Sequence, residues 1–138
     1  PESAFVPRHR LEAGLQEKIE AALAKDIRAD DTLVCPLGIG GHLDHLLTRA
    51  ALEHLGRPLR YYADIPYLLY NPEELKSATS GMKARQFPVS EAGFHAWLAG
   101  IAAYPTQISM LFENGEKMKE AMHSYWGSQR AVRLWQTG

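Results

Sequence analysis

The residues best suited to chemistry in this chain are His42, Asp44 and His45. They stand in the run Gly38-Ile39-Gly40-Gly41-His42-Leu43-Asp44-His45. Neutral imidazole is a common zinc ligand, and an i,i+3 spacing sets two histidines on one side of a helical turn. Asp44, two positions after His42, would point away from it in a regular helix. To support His42 it needs residues 40–44 to be extended, with the helix starting at about Asp44. An aspartate there also suits a helix N-terminus. Gly40 and Gly41 allow backbone angles closed to other residues and let a substrate approach the main chain. Read as a nucleotide loop, the glycines fit poorly. A G-x-G-x-x-G run from Gly38 needs glycine where Leu43 stands, and no G-K-[ST] occurs.

The elements around this run follow from periodicity. Leu11, Leu15, Ile19, Ala22 and Leu23 predict an amphipathic helix over 9–25. Asp30-Asp31 turn the chain into a strand over 32–35, and Pro36, without an N–H, ends it. Leu46, Leu47, Ala50, Ala51 and Leu55 form a second helical stripe closed by Gly56, and residues 59–63 make the next strand. Strand, helix, strand with short joints is one βαβ unit with parallel strands. The glycine–histidine turn then lies beyond the carboxyl end of a strand, where open α/β sheets bind ligands. Asp64 and Tyr67 stand at the mouth of the following strand, placed for substrate contact or for support of the site. Capping and packing are their plainer uses.

Residues 66–88 show no clean period and read as a long loop or irregular hairpin. Helices are expected over 90–103, kinked or paired beyond Pro105, and over 115–126, with Val132, Leu134 and Trp135 a weak closing strand. Two firm strands among four helices leave a sheet edge that needs a partner, from a missing half, another chain or self-association into a homo-oligomer. His9, His95 and His123 read as surface residues, His54 as a charge suited to a helix C-terminus, and Trp97, Trp126 and Trp135 as core.

Bulk properties exclude several classes. A chain of 138 residues is the size of one domain. Fifteen basic against 16 acidic residues give a net charge of −1, with no basic stripe for nucleic acid. No apolar run nears the roughly 20 residues of a membrane span, and no signal peptide is visible. No membrane partner and a cytoplasmic home are therefore expected. The one cysteine, Cys35, lies inside an apolar run and reads as a buried small residue.

The stretch from Pro36 to Ala51, Pro-Leu-Gly-Ile-Gly-Gly-His-Leu-Asp-His-Leu-Leu-Thr-Arg-Ala-Ala, resembles the PIG-L/LmbE-like metal-dependent de-N-acetylases. Tyr61 to Tyr67 and Ala103 to Ile108 look like later segments of that family, so the resemblance covers about 30–135. It implies a Rossmann-like three-layer α/β fold with a parallel sheet. It implies zinc as cofactor and hydrolysis of the linear amide of an N-acetylglucosamine-type amino sugar or its conjugate. Carried over by motif, His45 matches a metal ligand. His42 matches the histidine that stabilises or protonates the tetrahedral intermediate, and Asp44 its charged supporter. The family's first motif, H-P-D-D after its first strand, has no counterpart here, since Asp30-Asp31 lacks the His-Pro and precedes the strand. The chain therefore looks like the C-terminal portion of a single such domain, completed by an N-terminal half or a partner chain. Alternatively, it is a catalytically incomplete sugar-binding module or subunit.

Overall fold

The computed structural model describes residues 14–127 and 129–138. The elements in chain order are α1 (Leu15–Asp26), β1 (Leu33–Pro36), α2 (Leu43–His54), β2 (Leu59–Tyr62), α3 (Tyr67–Tyr70), α4 (Glu74–Ala78), β3 (Met82–Pro88), α5 (Glu91–Ala102), α6 (Pro105–Phe112), α7 (Gly115–Gly127) and β4 (Ala131–Thr137). A turn of 3-10 helix, Ile39–Gly41, joins β1 to α2. The chain forms two compact units. One runs through Ala84 and takes back Leu134–Gly138; the other is Arg85–Arg133.

The first unit contains the βαβ core. β1 and β2 pair in parallel, with Leu33 opposite Leu59 and Pro36 opposite Tyr62. Leu33, Cys35, Leu59 and Tyr61 are buried, while Val34 and Tyr62 on alternate positions are exposed. Leu47, Ala51 and Leu52 supply the buried stripe of α2, the helical period doing what the sequence pattern requires. Burial pushes the Cys35 thiol up to about 12, with Glu53 adding to the effect, so this cysteine is an inert core residue. Arg57 closes the entry to β1 by donating to the carbonyls of Arg28, Ala29 and Asp31.

Three expectations need correction. The sheet has four strands in the order β1-β2-β4-β3, and β4 runs antiparallel to β2, with Tyr61 opposite Trp135 and Tyr62 opposite Leu134. The sheet is therefore mixed, not parallel. Strands buried on both faces read as unbroken apolar runs, whereas Met82–Pro88 carries Lys83, Arg85 and Gln86, all exposed. Val34 and Tyr62 are exposed, so the described residues do not by themselves make the three layers, with helices over both faces, that the resemblance implies. Third, residues 66–88 are not a loop. They hold α3 and α4, too short to show a period, and the strand β3, whose mostly exposed residues lack an alternating apolar pattern.

In the second unit, Phe94 stacks on Trp126 at 4.3 Å between ring centroids, and Met118 and Met122 are buried. The helix expected over 90–103 is α5, capped at Ser90 by a hydroxyl that accepts from the Gly93 N–H. Beyond it Pro105 opens a separate helix, α6, as its missing N–H permits. Trp126 and Trp135 are buried as expected, and Trp97 is half-buried. His95 and His123 are exposed. His54 reaches across to Glu20 at 3.0 Å. The part of the predicted first helix over 9–13, and His9, lie outside the described residues. No helix among the described residues is long and apolar enough to cross a membrane.

Candidate active site

The site forms where the two parallel strands end. β1 releases the chain at Pro36 and β2 at Tyr62, in register, and Leu37 N–H still donates to the Tyr62 carbonyl. The chain then turns through Gly38, Gly40 and Gly41, each at a positive φ between 70° and 78°. Gly40 is the critical one. A Cβ there would lie 2.7 Å from the Tyr67 Cβ, so only glycine lets the turn and Tyr67 meet.

His42 leaves the turn in an extended conformation, φ −61° and ψ 127°, and caps α2. Its Nδ1 accepts from the Asp44 backbone N–H at 3.3 Å. The extended stretch needed for Asp44 to support His42 is thus confined to His42, and the helix starts at Leu43. What links the two residues here is the Asp44 amide. The Asp44 carboxylate belongs to the first turn of α2 and is exposed, as suits a helix N-terminus.

One turn along α2, His45 Nδ1 lies 2.6 Å from Asp64 Oδ1. Asp64 is the one buried charged residue among those described, 1 % exposed. Its other oxygen, Oδ2, accepts the Ile39 N–H at 3.0 Å. A carboxylate accepts only, so His45 donates from Nδ1 and keeps a lone pair on Nε2. Carboxylate-anchored histidine is the arrangement that fixes the tautomer and orientation of metal ligands. Asp64, expected either to touch substrate or to support the site, has both oxygens engaged in support. The His42 and His45 rings sit 5.1 Å apart, and Tyr67 lies 5.9 Å and 5.7 Å from them. Burial, followed by the nearby Asp64 and Asp44 charges, pushes the Tyr67 hydroxyl above its usual range, so it remains a proton donor.

The structure therefore gathers Gly40, Gly41, His42, His45, Asp64 and Tyr67 at one end of the sheet, with Asp44 beside them. It adds a residue the sequence did not signal. Glu74 of α4 accepts the Gly40 N–H at 3.0 Å. Glu74 lies in a stretch without period, 34 residues from its partner, and nothing local marks it. For a metal, His45 Nε2 is an oriented donor. Among the described residues no group of three or more His, Cys, Asp or Glu side chains could hold an ion.

No family model matches the chain. A 60-residue stretch is 40% identical to 2'-N-acetylparomamine deacetylase of Streptomyces fradiae, covering 39% of this chain and 22% of that protein. The fold matches the crystal structure of the A40926 pseudoaglycone deacetylase with a TM-score of 0.62 and 26% identity, over 93% of this chain and 57% of that one. It also matches a zinc-inhibited form of a teicoplanin deacetylase, with a TM-score of 0.61 and 23% identity, over 95% of this chain and 55% of that one. The similar proteins are deacetylases. The chain spans little more than half the length of the solved deacetylases. They share its mixed α/β architecture.

Proposed function

We propose that this chain is part of a zinc-dependent N-deacetylase of the PIG-L/LmbE-like kind, cleaving the acetamido group of an N-acetylglucosamine-type amino sugar or its conjugate. The observation that carries this is the Asp64–His45 pair at the carboxyl ends of two parallel strands, with the His45 ring 5.1 Å from that of His42. The deacetylases that share the fold support it.

The donors fit one corner of a zinc site. His45 would hold the ion through Nε2, with its ring fixed by Asp64. The other ligands of the roughly three or four that zinc takes, and the general base, would come from polypeptide beyond these residues. Zinc there would polarise the amide carbonyl and bring the pKa of a bound water to about 7. The chain's own residues do the rest. With Nδ1 accepting from the Asp44 amide, neutral His42 carries its proton on Nε2 and can hydrogen-bond through it to the oxygen that gains charge as the amide is attacked. The proton taken by the leaving amine would be the one that the general base removes from the attacking water. Asp44 would support His42 through its backbone N–H, which holds the ring at Nδ1. Tyr67 would donate to the sugar, and Gly40 and Gly41 would let it lie against the backbone.

The protein that carries this chain, loaded with zinc, should release acetate and a free amine from an N-acetylated amino-sugar conjugate. His42→Ala should lower kcat by roughly 10²–10⁴-fold. Binding of the sugar without acetate release would favour the alternative of a sugar-binding subunit. Neither binding nor release would overturn the deacetylase reading.

A further inference from the structure

The glycine turn is not held by its own hydrogen bonds alone. Within it only Gly41 N–H donates to the Gly38 carbonyl, at 3.1 Å. The two amides between, Ile39 and Gly40, donate to carboxylates from the segment that follows β2. Ile39 N–H goes to Asp64 and Gly40 N–H to Glu74, each at 3.0 Å. Successive amides flanked by left-handed glycines make a concavity suited to anions, and here the chain fills it with its own side chains. The Asp64 bond also carries His45. The Glu74 bond has no histidine on its other oxygen that would explain it. It ties α4 to the peptide two residues before His42.

We propose that Glu74 is a positioning residue, whose carboxylate holds the Gly40 peptide and so sets His42 over the site. Three features make the bond consequential. Glu74 is half-buried, so its charge is poorly screened. Gly40 and Gly41 both lie at positive φ and, lacking side chains, have many other conformations open to them. His42 follows directly, its ring capping the Asp44 N–H at 3.3 Å beside the His45 and Tyr67 rings. Without Glu74 the Gly40 amide loses its acceptor and the turn loses its tie to α4, which loosens the lead into His42. His45 is fixed separately by Asp64 and one turn of helix, so it should stay. Glu74 therefore orders the donor that meets the substrate, without touching substrate or metal. Its importance for catalysis rests on the deacetylase reading; its effect on His42 does not.

Amide hydrogen exchange and histidine ring resonances of the full 138-residue chain, at a concentration below that at which it associates, test this by NMR. Glu74→Ala should speed exchange at Gly40 by on the order of 10- to 100-fold, the worth of a hydrogen bond to a charged acceptor. It should shift or broaden the His42 ring signals and leave those of His45 in place. Glu74→Gln, which can still accept at the same distance, should restore both. Should Glu74→Ala not fold, Glu74→Asp, which keeps the charge and shortens the reach, should show the same changes in milder form. Unchanged exchange at Gly40, or faster exchange with an unmoved His42, would overturn the proposal. In the zinc-loaded protein, Glu74→Ala should lower kcat about tenfold at constant KM, with Glu74→Gln near wild type. A wild-type protein without deacetylase activity, together with the expected NMR changes, would remove the deacetylase reading and leave the positioning role standing.

Discussion

At the scale of single residues, Asp64 and Glu74 do similar work on adjacent peptides but with different reach. Asp64 is fully enclosed and binds a backbone amide and an imidazole at once; removing its charge disturbs both. A carboxylate that fixes a metal-binding histidine typically contributes about 10- to 100-fold in metal affinity or activity. Asp64→Asn in the zinc-loaded protein should therefore weaken zinc by about that factor, and His45→Ala should lose the ion and the activity with it. His42→Ala should keep nearly all the zinc and lose turnover, because its ring is capped by the Asp44 amide and acts on the substrate. Calorimetry and metal analysis on the three variants decide this. Loss of zinc from His42→Ala with retention by His45→Ala would reverse the two roles.

At the scale of elements, the turn between β1 and α2 sets how closely the site can close. Gly40 and Gly41 have nearly the same φ but opposite surroundings: a Cβ on Gly40 would run into the Tyr67 side chain, and one on Gly41 would meet nothing within 4 Å. The left-handed conformation alone costs a non-glycine residue about 1–2 kcal/mol. Gly41→Ala should pay about that much. Gly40→Ala should cost more, about 2–4 kcal/mol, as Tyr67 or the turn is forced aside and a core contact is strained. Denaturant unfolding of both variants checks the order. Equal losses would mean that Tyr67 yields easily and that its approach to the turn is not tightly set.

At the scale of the whole molecule, β1 stands at one end of the strand order, and its Val34 is exposed. A strand edge that no other strand among the described residues pairs with is a template for further pairing. The 138-residue chain should accordingly self-associate or precipitate at high concentration, and sedimentation velocity should show species larger than the monomer. The incomplete donor set gives a parallel expectation for the metal. With His45 the one oriented donor found among the described residues, this chain by itself should bind zinc weakly. A well-dispersed monomer that binds zinc tightly through His45 would contradict both expectations.

The run from Gly38 to His45 determined by itself that this chain has a turn at a strand end, a helix after it and imidazoles on that helix. Such features are local. Glycine alone tolerates the positive φ, and the i,i+3 spacing fixes two side chains on one helical face. The same holds for α2, α5 and α7, long enough to show a period, and for the parallel pairing of β1 with β2, which their short helical connection requires. The rest depended on residues far apart in the chain. β3 and β4 were weak or invisible because charged and polar residues interrupt them and they lack the unbroken apolar pattern of a parallel sheet, and only pairing with β2 gives β4 its direction. Asp64 could be placed at a strand mouth from its position, but that its two oxygens split between Ile39 and His45 is decided by how β1, β2 and α2 pack. Glu74 had no signature at all. Its meaning comes from a hydrogen bond to Gly40 across 34 residues, which the tertiary fold alone brings within 3.0 Å.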